Sequence, residues 1–157
     1  MDINSIFENV RKDTSLLANI DMDELLRATE NDKNDYLNDK TLDDILEENI
    51  QAIKRLKLPK KEIVELSNKL VGYRYIENVF DIHKGKHIRW IRQGNGNTIT
   101  NGAIVADVKF FDNGTHIVCT TAMGRVFQIK FNECTVFQKL SVGEQLILMA
   151  YEHVSKL

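Results

Sequence analysis

His83 and His87 stand four residues apart, with Lys84 and Lys86 between them. On a continuous helix that spacing places two imidazoles on one face, the beginning of a metal site. Gly85 and the extended pattern that follows break such a helix, and a stable site demands three or four ligands. The pair therefore reads as solvated turn histidines, and no metal or cofactor is expected. The same stretch is richer as a basic and aromatic surface. Arg74, Lys84, Lys86, Arg89 and Arg92 surround Tyr73, Tyr75, His87 and Trp90. Phosphates attract Lys and Arg, and unstacked bases lie flat on aromatic rings. The competing reading makes Trp90 a core residue and sets Arg89 and Arg92 on opposite faces of a strand. The candidate binding residues, for a protein or for nucleic acid, are Arg74, Tyr75, Lys84, Lys86, His87, Arg89 and Arg92.

Nucleophilic catalysis needs an activated Ser or Cys beside a base. Cys119 and Cys134 fall inside apolar runs and read as small core residues, and Ser141 reads as a helix cap. Gly94-Asn95-Gly96-Asn97 lacks the Lys-Ser/Thr and the helix of a phosphate loop. The acidic clusters Asp21/Asp23/Glu24, Asp43/Asp44 and Glu47/Glu48 sit where helix starts and solvated faces favour them. An enzyme is not expected.

The elements that position these residues fall into two halves. Residues 1–72 carry sixteen acidic and eleven basic side chains, and residues 73–157 carry seven and ten. That split argues for an acidic helical arm over 1–72 and a second domain over 73–157. Ile3, Ile6, Phe7 and Val10 recur at helical spacing. Asp21 is placed to cap a helix carrying Met22, Leu25 and Leu26, and 30–40 reads as a polar loop. Thr41 caps the best helix, with Leu42, Ile45, Leu46, Ile50 and Ile53 as its apolar stripe. Pro59 ends it and opens a second helix, which Gly72 stops, giving a helical hairpin about Leu58-Pro59. The stripe is the expected docking face of the arm on the second domain, masking its basic residues.

From Lys86 to Leu140 apolar and polar residues nearly alternate, with turn signals between the runs. Asp112-Asn113-Gly114 is the strongest hairpin signal in the chain. The runs are Lys86–Arg92, Ala103–Phe111 (Ile104, Ala106, Val108 and Phe110 on one face), Thr115–Thr120, Arg125–Phe131 and Glu133–Leu140. This pattern predicts a small, bent, five-stranded antiparallel barrel of the Src-homology-3-like or Tudor-like type. Residues 73–83 read as a lead-in with a short helix over Glu77–Ile82. Ser141-x-x-Glu144 is a capping box opening a C-terminal helix that could cover a barrel opening. The fold class is thus α+β. The N-terminus lacks a signal peptide's pattern and no apolar run is long enough to span a bilayer, so no membrane is expected, nor secretion.

Tyr73-Arg-Tyr-Ile, Lys86-His-Ile-Arg-Trp-Ile, Thr100-Asn-Gly-Ala-Ile, Phe127-Gln-Ile-Lys-Phe and Val136-Phe-Gln-Lys-Leu followed by Glu144-Gln-Leu-Ile-Leu resemble an uncharacterised protein family of giant DNA viruses. The resemblance covers residues 73–152 and implies no activity and no site residue. It implies a viral setting, in the host cytoplasm, the viral factory or the virion. The expectation is a non-enzymatic interaction module that binds another protein in an assembly or gene-expression complex. A nucleic-acid-binding barrel is the alternative.

Overall fold

The computed structural model describes residues 22–30, 32–37, 39–94 and 98–155. The helix expected around Ile3–Val10 and the capping Asp21 lie outside them. In chain order the elements are α1 (Met22–Glu30), a 3-10 turn (Asp32–Leu37), α2 (Leu42–Lys54), α3 (Lys60–Lys69) and β1 (Tyr73–Tyr75). A 3-10 turn (Val79–Asp81) leads to β2 (His87–Arg92), β3 (Ala103–Phe111), β4 (Gly114–Thr120) and β5 (Val126–Lys130). A third 3-10 turn (Phe131–Glu133), β6 (Cys134–Lys139) and α4 (Val142–Ser155) complete the order. The protein is α+β. It divides into two compact units, Met1–Ile45 with Leu140–Leu157, and Leu46–Lys139, a grouping that cuts across the sequence division at residue 72.

The first unit is helical. Thr41 and Asp44 form a reciprocal capping box at the start of α2, with Thr41 N donating to Asp44 Oδ2 (2.9 Å) and Asp44 N to Thr41 Oγ1 (3.3 Å). Ser141 and Glu144 repeat the device at α4, both bonds at 3.1 Å. Leu146, Ile147, Leu148, Ala150, Tyr151 and Val154 of α4 share a core with Ala28, Leu37, Ile45 and Leu140. The C-terminal helix therefore buries its apolar face in a helical core. A Cβ on Gly143 would stand 3.1 Å from that of Ala28, a tight approach of α1 to α4 that the glycine relieves.

The second unit is built on one antiparallel sheet in the order β1-β6-β2-β3-β4-β5. It has six strands where the alternation predicts five, and β1 and β5 end the order, so the expected closed barrel is not formed. The additional strand is Tyr73–Tyr75, which pairs with Phe137–Lys139 of β6. The helix expected over Glu77–Ile82 shrinks to one 3-10 turn, with the Asn78 side chain accepting from Phe80 N. Asp112-Asn113 makes the two-residue hairpin, closing Phe111 onto Gly114.

The sheet is nevertheless strongly bent. β2 and β5 are three strand spacings apart, about 14 Å on a flat sheet, yet the Trp90 and Phe127 ring centroids lie 5.9 Å apart. One concave face gathers Ile88, Trp90, Ala103, Val105, Ile117, Cys119, Ile129 and Val136 into a single core. The opposite face, through Ile91 and Phe137, meets Ala52 and Ile53 of α2, Leu66 of α3 and Leu70 just beyond its end. The face expected for β3 is inverted over its first half: Ala103 and Val105 are buried while Ile104 and Ala106 are exposed. The cause is a register shift between Val105 and Asp107, which moves the alternation by one residue and leaves Val108 facing inward with Ile117.

Candidate interaction surfaces

Arg74 is buried, at 3% exposure, with its guanidinium donating to the Asp81 carbonyl. Burial pushes its pKa down to about 10, against the pull of Asp81 and Glu48. Tyr75 is half-buried, its ring 5.8 Å from that of Phe137, and the Arg55 guanidinium lies over it at 5.8 Å. His87 is half-buried with Nδ1 2.9 Å from the Tyr73 hydroxyl. Burial, then the charges of Lys139 and Arg89, lower its pKa. Gly102, at φ +92, closes over it: a Cβ there would meet the Ile88 carbonyl at 2.2 Å and the His87 ring at 2.6 Å.

Arg89 donates from Nε to the Thr100 carbonyl (2.9 Å) and from a terminal nitrogen to the Lys69 carbonyl (3.1 Å). It thereby sets a cation at the C-terminal end of α3, where the helix dipole favours one. Lys84 pairs with Asp107 at 3.1 Å. Lys86 is half-buried and Arg92 exposed. Trp90 is 6% exposed, a core residue and not a stacking platform. The expected basic surface is thus dispersed: Arg74 is interior, and Arg89 and Lys84 are engaged with protein groups. The α2 stripe divides as well. Ile45, with Leu42 against it, joins the helical core of the first unit, and Ile53 joins the core between the hairpin and the sheet. Ile50 is half-buried and Leu46 is 39% exposed.

Two features escape the sequence reading. Phe80 and Phe110 stack at 5.7 Å with an interplanar angle of 27°, yet they are 76% and 61% exposed; Phe111 is 49% exposed. The signal for them is Phe110-Phe111 directly before a tight turn, where alternation cannot turn both rings inward. The second is Asn49, 1% exposed, which donates to the Tyr73 carbonyl (2.9 Å) and accepts from Tyr75 N (2.7 Å). Its signal is a polar residue four positions from Ile45 and four from Ile53, in the middle of a buried face.

A cleft of about 330 Å³ opens near the end of α2, with Arg55, Tyr75, Gln93, Phe131, Asn132 and Thr135 in its walls. Cys119 and Cys134 are free thiols. Burial, then the neighbouring Cys134, pushes the Cys119 pKa up to about 11, which keeps it protonated and unreactive. Among the described residues no three His, Cys, Asp or Glu side chains are grouped to hold a metal ion. None of their helices is long and apolar enough to cross a membrane.

Geometry and topology define the class: an α+β protein whose curled antiparallel sheet carries a helical hairpin on one face. Comparison with protein-family models, with curated proteins and with solved structures finds no match.

Proposed function

We propose that the chain is a non-catalytic module that binds another protein, and that the stacked Phe80–Phe110 pair is the centre of its contact surface. The observation that carries this reading is the exposure of two aromatic rings stacked on each other in solvent. Contact with water is unfavourable for both rings, and large apolar side chains grouped at a surface mark sites where a partner removes them from water. The Lys84–Asp107 pair supplies the polar groups usual at a rim. The viral setting, in an assembly or gene-expression complex, rests on the segment resemblance alone. The kinship of the curled strands β2–β6 with Src-homology-3-like or Tudor-like barrels belongs to the same proposal and is supported by their shared core.

The test is a paired recovery from the native host, using the intact protein and a Phe80→Ala/Phe110→Ala variant, each with and without nuclease. The reading expects a protein partner that survives nuclease and is lost with the variant, at unchanged thermal stability. A partner retained by the variant would reject the aromatic surface. Recovery abolished by nuclease, or salt-sensitive binding to a single-stranded oligonucleotide, would favour the nucleic-acid alternative through Lys86 and Arg92.

A further inference from the structure

The two edges of the sheet are treated differently. At β1 three of the four outward backbone groups are occupied: Tyr73 N donates to the Leu70 carbonyl (3.0 Å), and the Asn49 amide takes Tyr73 O and Tyr75 N. At β5 they are open. Thr121 N donates to the Arg125 carbonyl (2.9 Å), and the β4–β5 register runs without a shift from Thr120↔Val126 to His116↔Lys130. Hydrogen-bonded and non-bonded pairs alternate along an antiparallel ladder. Cys119↔Phe127 and Ile117↔Ile129 are therefore the bonded pairs. Val126, Gln128 and Lys130 turn their N–H and C=O groups away from β4; the Lys130 carbonyl caps the 3-10 turn Phe131–Glu133, and the others make no hydrogen bond to another described backbone group. Three such residues at a spacing of two form a template for one more strand.

The side chains along this edge say what would occupy it. Phe127 and Phe131 are half-buried at the rim of the concave core, and Val126 is 64% exposed. From Thr121 to Lys130 the chain carries Arg125 and Lys130 and no acidic residue. On the outward face Lys109 of β3 adds a further cation in the same sheet, exposed like Lys130. Glu133 stands 3.9 Å from the Lys130 ammonium, both side chains exposed, and the edge keeps a net positive charge that favours acidic partners. We propose that β5 is a strand-addition site for an extended segment of another protein in which acidic residues alternate with apolar ones. Main-chain bonds to Val126, Gln128 and Lys130 hold the segment. Its apolar side chains lie beside Phe127 and Phe131 on the concave face, and its carboxylates share the opposite face with Lys130. This surface is separate from the Phe80–Phe110 pair, so either proposal can fail alone.

The probe is a short labelled peptide in which glutamate alternates with valine, set against one in which lysine replaces glutamate. Both are titrated into the full chain, with amide exchange followed by NMR. The expected result is binding of the glutamate peptide only, with slowed exchange at Val126, Gln128 and Lys130. Gln128→Pro removes one outward N–H without removing a bond to β4, and should weaken binding by roughly tenfold or more. Gln128→Ala, which loses only the side chain's 3.1 Å bond to His116, should bind as the wild type does. Should the proline variant unfold, Arg125→Glu/Lys130→Glu serves instead and should reverse the preference between the two peptides. Equal binding of both peptides, or protection at Phe80 and Phe110 without protection at β5, would overturn the proposal. So would concentration-dependent dimerisation abolished by Gln128→Pro, since the edge would then belong to a second copy of the chain.

Discussion

Glu144 is a buried carboxylate of the helical unit. It is 1% exposed, accepts from Ser141 N at 3.1 Å and takes the hydroxyl proton of Tyr36 in a hydrogen bond. Burial raises its pKa from 4.5 to about 7, with the bond from Ser141 N opposing the rise. The folded state thus holds a proton that the unfolded chain releases at lower pH. The stability conferred by that proton is fully present below about pH 4.5 and is lost as the pH climbs through about 7. Glu144→Gln should remove this slope. Urea unfolding at about pH 5 and about pH 8 should show the variant gaining on the wild type at the higher pH by on the order of 1–3 kcal/mol. A constant difference across that range would mean that Glu144 titrates normally. The capping box itself is legible in Ser141-x-x-Glu144. The burial that shifts the titration is not, because Tyr36 arrives from over a hundred residues away.

At the scale of the element, β1 persists with three residues because α2 supplies the bonds its outer edge lacks. Asn49→Ala would leave Tyr73 O and Tyr75 N without partners in a part-buried setting. Each orphaned group costs about 1–3 kcal/mol, so a loss of about 2–6 kcal/mol in urea unfolding is expected, with faster amide exchange at Tyr75. Unchanged exchange there would show that the strand holds without its seal. The contrast with β3 is instructive. Its hairpin is readable from Asp112-Asn113-Gly114, but its buried face is not, because the shift between Val105 and Asp107 has no residue signature as plain as a glycine or proline. A period-two reading carried through the shift assigns Ile104 to the core and finds it 37% exposed.

For the whole molecule, the helical core around α4 and the core of the curled sheet are separate sets of residues. Ile147 is 4% exposed in the first and Trp90 is 6% exposed in the second. Ile147→Asp buries an unpaired carboxylate and should unfold the helical unit at a cost of several kcal/mol. The Trp90 emission should remain blue-shifted and protected from iodide. Loss of helical circular dichroism with native fluorescence is the expected signature; simultaneous loss of both would show that the two cores melt as one.

Local chemistry alone fixes a good deal here. The capping residues Thr41 and Ser141, the break at Pro59, the tight turn at Asp112-Asn113 and the strand periods on either side are all set by backbone geometry within a few residues. They give the α+β class, the helical hairpin and five of the six strands. Tertiary structure decides what depends on distant partners. It buries Arg74 and engages Arg89 and Lys84, so a basic run in sequence becomes separate structural contacts. It groups the C-terminal helix with Ala28 and Leu37 in one core. It also seals one edge with Asn49 and leaves the other open, because whether a backbone group finds a partner depends on which segment folds alongside it.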